Sequence, residues 1–143
     1  MLSLTKKTGY GLIAMTYLAR LPAGQVASAR EISEMFGVPT ALLMNILKEL
    51  AAAGYVDSVR GAHGGYRLGR DLGSVSVADL IGVLEGPIRL AECLRHQAGK
   101  SESICDLVDR CPIADPVHRV QRKLRDFLKN VKLAEMVEPA EAK

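Results

Sequence analysis

The sequence predicts a mainly α-helical chain with one small β-hairpin and a long C-terminal helix. Three observations point there. The chain has 143 residues, no Trp, 4% aromatics and 48% hydrophobic residues. One ordinary domain of that composition builds its core from Leu, Ile, Val, Met and Ala, which suits helices better than a sheet sandwich. Apolar residues recur at helical spacing along most of the chain. Only around residues 55–68 does the pattern alternate with period two, on either side of a glycine-rich turn.

Taken in order, Thr8–Arg20 reads as a first helix, with Leu12, Ile13, Tyr17 and Leu18 near one face and Gly9 and Gly11 weakening its start. Leu21-Pro22-Ala23-Gly24 breaks it. A second helix begins at Ser28, which with Glu31 forms a capping box, and Ile32, Met35 and Phe36 supply its buried face. Gly37-Val38-Pro39 is a short turn, with Gly37 where such a helix ends. Thr40 caps a third helix that runs to about Ala53. Leu43, Ile46, Leu47 and Leu50 fall at i, i+3, i+4 and i+7 and form its core stripe, and Gly54 terminates it.

Two short helices joined by a Gly-containing turn are a helix-turn-helix signature. Tyr55–Arg60 alternates like a strand, Gly61-Ala62-His63-Gly64-Gly65 turns the chain, and Tyr66-Arg67-Leu68 returns. A hairpin directly after a helix-turn-helix is a wing. Ser76–Glu85 reads as a further helix, capped by Ser76 and Asp79, with Val77, Leu80, Ile81 and Leu84 inward. From Ile88 to Pro112 the chain becomes irregular and holds its three cysteines. Asp115, as N-cap, and Pro116, at the first helical position, start the long helix. Val117, Val120, Leu124, Phe127 and Val131 are spaced 3, 4, 3, 4, a heptad seam too short for an independent coiled coil and adequate for a dimer interface. The expected division is a winged helix-turn-helix over 1–75, a connecting helix and cysteine loop over 76–114, a dimerisation helix over 115–137 and a frayed tail over 138–143.

Charge does little to identify a partner. The net charge of +3 is spread along the chain, eight basic against seven acidic residues over 1–86 and eleven against nine over 87–143. Local arrangement says more. The second helix of a helix-turn-helix enters the major groove of double-stranded DNA and a wing reaches the backbone or minor groove. Thr40, Ala41, Met44 and Asn45, with Lys48 one turn on, are the solvent-facing positions of the third helix. Asn45 suits adenine, and Ala41 or Met44 a thymine methyl. Lys6, Lys7, Lys48, Arg60 and Arg67 are the phosphate candidates, and His63 in the wing reads as a turn or DNA-side residue. The plainer alternative is that Lys48 and Glu49 solubilise a helix face while Arg60 and Arg67 pair across the hairpin. The rather apolar start of the third helix implies few direct base contacts, with shape readout and waters carrying part of the discrimination.

The cysteines are spaced Cys93-x11-Cys105-x5-Cys111. Thiolates are soft ligands for zinc and iron–sulfur clusters, and the paired short spacings of structural zinc are missing. A lone Cys is more often a small buried hydrophobe; three close together in a polar loop, with none elsewhere, favour a cluster. His118 and His96 are both open as a fourth ligand, as is a group from another subunit. No signal-peptide pattern and no run of apolar residues long enough for a membrane span occurs, so the chain reads as cytoplasmic, where thiols stay reduced. No Ser/His/Asp set, phosphate loop or pair of acid–base carboxylates stands out, so an enzyme is not expected.

Several stretches together resemble the Rrf-two family of bacterial winged-helix regulators, which includes iron–sulfur and nitric-oxide sensors of the IscR and NsrR types. They are Leu4-Thr5-Lys6 with Tyr10, Glu31-Ile32-Ser33-Glu34, the wing from Ser58 to Leu68, Leu84-Glu85-Gly86, Glu92-Cys93-Leu94, Cys105, Cys111-Pro112-Ile113 and Leu133-Ala134-Glu135-Met136. The Gly61–Tyr66 wing is also similar to regulators of the SUF cluster-assembly system. The resemblance covers nearly the whole chain. It implies a homodimer built on the long helix, a palindromic operator, and one cluster per subunit, 2Fe-2S or 4Fe-4S, whose state switches DNA affinity or sequence choice. Two positions depart from the family pattern. Ala114 stands where the iron–sulfur regulators place a His, and Gly9 where the nitric-oxide sensors place an Asp. The expected mechanism is an allosteric one, in which cluster assembly orders the 88–112 loop and fixes the spacing of the two recognition helices. Zinc, a cluster-free thiol sensor, or an interaction module of cluster assembly are the alternatives.

Overall fold

The computed structural model describes residues 3–91 and 105–137. Its first helix, α1 (Lys6–Ala19), starts earlier than the expected Thr8, because the Thr5 hydroxyl caps it by accepting the Thr8 N–H at 3.4 Å. Gly9 and Gly11 therefore lie inside the helix. The buried face is Thr8, Gly11, Ala14, Met15 and Leu18, whereas Leu12, Ile13 and Tyr17, placed near one face with Leu18 by the sequence, are only half-buried. Small residues decide that face. A Cβ on Gly11 would lie 2.6 Å from Leu84 Cδ1, so it is the bare backbone that lets the next layer approach.

Helix α2 (Ala29–Phe36) is capped by the Ser28 hydroxyl, which accepts the Glu31 N–H at 3.1 Å. The Glu31 carboxylate turns to the Tyr17 hydroxyl at 3.3 Å. Gly37 closes the helix in the left-handed conformation (φ 70°, ψ 26°) that costs a side-chain-bearing residue more than glycine. Ala29, Ile32 and Ser33 are buried, but Met35 and Phe36 are 61% and 47% exposed, against expectation. Phe36 lies edge-on to Tyr17, with ring centroids 5.8 Å apart, so the last turn of α2 leans on α1 and not on the core.

Helix α3 (Thr40–Ala52) takes Thr40 as its first helical residue. The expected Thr40 cap does not form: Pro39 holds the cap position without a side-chain bond, and the Thr40 hydroxyl pairs with that of Ser33. Leu43, Ile46, Leu47 and Leu50 are fully buried at the centre of the core, as the spacing predicts. Gly54, at φ 81°, ends the run.

Strands β1 (Val56–Val59) and β2 (Gly65–Leu68) pair antiparallel, from Val56↔Leu68 to Val59↔Gly65. The hairpin is sewn to the α1–α2 connection at Ala27, whose N–H donates to the Tyr66 carbonyl (2.9 Å) and whose carbonyl accepts the Tyr66 N–H (2.7 Å).

Helix α4 (Val77–Leu84) carries the full capping box, with Asp79 accepting the Ser76 N–H at 2.9 Å and Ser76 accepting the Asp79 N–H at 3.0 Å. It buries Val77, Leu80 and Leu84 and leaves Ile81 half-buried.

The C-terminal helix differs from expectation at both ends. Helix α5 (Ala114–Asn130) has Ile113, not Asp115, at its cap, which places Asp115 and Pro116 inside the first turn. Both are at home there, since the first-turn N–H groups lack helical partners and the helix start favours negative charge. The helix stops at Asn130. Val131–Leu133 then crosses Val75–Val77 as a short antiparallel bridge, with Val77 N–H donating to Val131 O (2.9 Å) and Leu133 N–H to Val75 O (2.8 Å). A last turn, α6 (Leu133–Met136), follows, and Leu133 enters the core. The expected continuous helix over 115–137 is thus interrupted by a backbone pairing that no side-chain periodicity reveals. Val120 and Phe127 of the seam stand 54% and 64% exposed, with Val117 and Leu124 half-buried.

Candidate nucleic-acid interface and cysteine segment

Because the core stripe of α3 points inward, the residues between its members point out. Thr40, Ala41, Met44, Asn45 and Lys48 are all exposed on that face. Lys6 at the start of α1 and Arg60, His63 and Arg67 in the wing are exposed too. Two of the basic candidates have partners in the chain. Lys7 Nζ meets Glu49 Oε1 at 2.9 Å, joining α1 to α3, and Arg67 Nε lies 3.8 Å from Asp57 Oδ2 on the facing rung of the hairpin. The Arg67–Asp57 pair is exposed, where an ion pair is worth about 0–1 kcal/mol, and the Lys7–Glu49 pair is half-buried. Arg70, which composition alone does not single out, stacks over the Tyr55 ring at 5.0 Å and braces the junction of α3 and the wing.

The wing owes its seat to two adjacent glycines. A Cβ on Gly64 would meet the Val59 carbonyl at 2.3 Å, and one on Gly65 the Ala27 carbonyl at 2.6 Å. The His63-Gly64-Gly65 run therefore serves close backbone packing as well as turning.

Glu85, just past α4, is a junction that the spacing of apolar residues does not disclose. Its carboxylate accepts hydrogen bonds from the hydroxyls of Thr5, the cap of α1, and Thr8 in its first turn. Burial pushes this carboxyl up, but the Thr5 and Thr8 hydrogen bonds outweigh it and hold it below its ordinary value. Asp79 is likewise held low, chiefly by the Ser76 backbone N–H.

Of the proposed metal ligands, Cys93 lies outside the described residues, as does His96. Cys105 and Cys111 are half-buried in the run leading into α5, which begins after a short helical turn at Val108–Arg110. His118 is half-buried on α5. Among the described residues no three His, Cys, Asp or Glu side chains gather closely enough to hold a metal, so Cys105, Cys111 and His118 do not form such a set. In kind, the two thiols fit a thiolate-ligated group; in number, they need Cys93.

Gln121 is the polar residue the heptad reading passes over. It is 4% exposed on a helix whose other buried-side positions are only half-covered. Its amide grips the chain on its way to Cys93: Oε1 accepts the Leu90 N–H at 2.9 Å and Nε2 donates to the Ile88 carbonyl. At the other end, Cys111 O accepts the Ala114 N–H at 3.4 Å. Helix α5 thus holds the chain both before and after the cysteine segment. Gln121 falls in phase with Val117, Leu124 and Leu128, and that phase was the available signal.

Among the described residues no helix is long and apolar enough to cross a membrane. A family model described as Rrf2, iron-dependent transcriptional regulator, matches residues 4–139. Among solved structures, the chain is similar to CymR (YrzC), the global cysteine regulator of B. subtilis, at 27% identity and TM-score 0.69, covering 96% of this chain and 97% of that one. The oxidized form of Staphylococcus aureus CymR matches at 28% identity and TM-score 0.71, over 99% and 100% of the two chains. T. potens IscR matches at 28% identity and TM-score 0.68, over 99% and 93%.

Proposed function

Because this chain belongs to the Rrf2 family of transcription regulators, we propose that it acts as a homodimer on a palindromic double-stranded operator. We propose further that it answers to an iron–sulfur cluster held by Cys93, Cys105 and Cys111. The observation that carries the DNA half is the exposed row Thr40, Ala41, Met44, Asn45 and Lys48 beside a hairpin bearing exposed Arg60 and His63. The start of such a helix meets base edges, and a wing meets the backbone. Arg67 can turn from Asp57 to a phosphate at small cost, since exposed pairs are weak.

The dimer reading rests on α5. Val120 and Phe127 lie open on it, and an apolar groove of about 590 Å³ runs alongside, lined by Leu4, Ile81, Ile88, Leu124 and Phe127 among others. A second copy of α5 would cover both.

The cluster reading is supported by the iron-dependence in the family description and by the three cysteines spaced Cys93-x11-Cys105-x5-Cys111. A bound cluster would supply a redox- and nitric-oxide-sensitive centre. What the chain itself does is transmit: Gln121 and the Cys111–Ala114 hydrogen bond attach the cysteine segment to the helix that carries the seam. A change in that segment then shifts α5, and with α5 the spacing of the two α3 helices. A coupling of about 1–3 kcal/mol would alter operator affinity roughly 5–150-fold. The likeness to CymR favours a second reading, a cluster-free thiol sensor on the same scaffold.

Protein purified without oxygen decides between them through its visible spectrum with iron and acid-labile sulfide assays, read beside duplex binding at several salt concentrations. Brown protein with stoichiometric iron and sulfide supports the cluster. Colourless protein that stays colourless after reconstitution leaves zinc or thiol sensing. Duplex binding that does not weaken with salt would sink the DNA reading, because phosphate contacts release counterions.

A further inference from the structure

The turn between α2 and α3 fixes not only where Thr40 sits but which way its proton points. Ser33 is buried, and its hydroxyl donates to the Val38 carbonyl at 2.5 Å. A carbonyl can only accept, and a serine hydroxyl has one proton to give. The contact of 2.7 Å between Ser33 Oγ and Thr40 Oγ1 must then be made with Thr40 as donor. Reversing the order would strip the Val38 carbonyl of the Ser33 proton. The same serine is held in place from its backbone, where its carbonyl accepts the N–H groups of Gly37 (2.8 Å) and Val38 (3.2 Å). Thr40 itself is exposed at the first position of the outward face of α3.

We infer that Thr40 reads DNA as an acceptor only, selecting a base with an amino group in the major groove. Its one proton is committed inward to Ser33, so its oxygen offers lone pairs alone to a partner. Phosphate oxygens have no proton to give and are excluded. In the major groove the donors are the adenine N6 and cytosine N4 amino groups, while guanine and thymine present acceptors there. Thr40 is thus a specificity residue, and the phosphate contacts fall to the basic side chains. The inference rests on the DNA-binding reading.

The test begins with selection of operators from a randomised duplex pool by the full chain. Kd values follow on duplexes in which the amino group at each preferred A or C is deleted, using purine for adenine or 2-pyrimidinone for cytosine. For one position in each half-site, amino deletion should weaken the wild type by roughly 2–12-fold, the worth of a single net hydrogen bond. Thr40→Val should be insensitive to the same deletion, and Thr40→Ser should behave as wild type. Ser33→Ala releases the Thr40 proton and should admit G or T at that position; the Thr40 variants carry the test if Ser33→Ala fails to fold. Equal sensitivity of wild type and Thr40→Val at every position overturns the inference, as does a Thr40-dependent preference for G or T. A wild-type chain that retains no duplex overturns it along with the DNA-binding reading, a result distinct from binding without the Thr40 signature.

Discussion

Replacing Gly65 by Ala probes how the wing is seated. The backbone there asks for space and not for handedness, because Gly65 is not among the glycines with positive φ. Its added Cβ would lie 2.6 Å from the Ala27 carbonyl oxygen and 2.7 Å from the carbonyl carbon. Those are backbone atoms and cannot swing aside, so the bridge between Ala27 and Tyr66 must open. Two hydrogen bonds go with it, at 2.9 and 2.7 Å. At a net value of about 0.5–1.5 kcal/mol each, their loss removes roughly 1–3 kcal/mol. Alanine returns about 0.4–1 kcal/mol by restricting the unfolded chain. The net loss is about 1–2 kcal/mol, or a fall in Tm of roughly 3–10 °C for a chain of this size. Thermal melts give the total, and hydrogen exchange locates it. The Ala27 and Tyr66 amides should lose protection first, ahead of the β1–β2 pairs. An unchanged Tm with both amides still protected would refute the reasoning.

Two further substitutions test other joints. Gly9 lies inside α1 with nothing within 4 Å of an added Cβ, so Gly9→Ala should stabilise by up to about 1 kcal/mol through helix propensity. Gly11→Ala, whose Cβ would crowd Leu84, should destabilise by roughly 1–3 kcal/mol, and urea midpoints compare the two directly. Glu85→Gln addresses pH. The folded-state carboxyl is held below its ordinary 4.5, so its contribution is complete above that value and is lost as pH falls through the depressed folded value. The stability gap between wild type and Glu85→Gln should therefore be widest near neutrality and close on acidification below about pH 4.5. A gap independent of pH between 7 and 3 would count against it.

The elements that could be read from sequence are those whose signal is local. The α3 stripe, the αL glycine after α2, the Ser76–Asp79 box and the hairpin each follow from spacing or from one residue's conformational range. Errors gathered where tertiary contact overrides the local pattern. Met35 and Phe36 have the hydrophobicity for a core, but the short helix that carries them rests its last turn on α1. The face of α1 is set by Thr8, Gly11 and Ala14, which hydropathy undervalues because their contribution is proximity. The break at Val131 comes from a backbone pairing with Val75–Val77 that leaves no mark on side-chain type. At the candidate interface, the outward residues of α3 were legible as the complement of its stripe. The pairing of Arg67 across the hairpin was legible as the plainer alternative, and Asp57 on the facing rung supplies it; the Lys7 partner was not, since an ion pair between distant positions has no sequence period. The proton direction at Thr40 needed the geometry of Ser33 and Val38.

The bridge between Ser76 and Lys132 ties the residues that follow α5 to the start of α4. Within the span it closes, α4 belongs to the core through Val77, Leu80 and Leu84, so the excursion proper is the stretch between Leu90 and Ala114, whose two ends α5 fixes. The entropy of closing such an excursion grows only with the logarithm of its length, about 0.6 kcal/mol per doubling. Insertions, deletions and altered ligand spacing within it are therefore cheap for the remainder of the fold. On the proposed reading, the sensing chemistry in that stretch could be exchanged while the winged helix is inherited intact. The signal such a regulator obeys can then change without rebuilding the part that holds DNA.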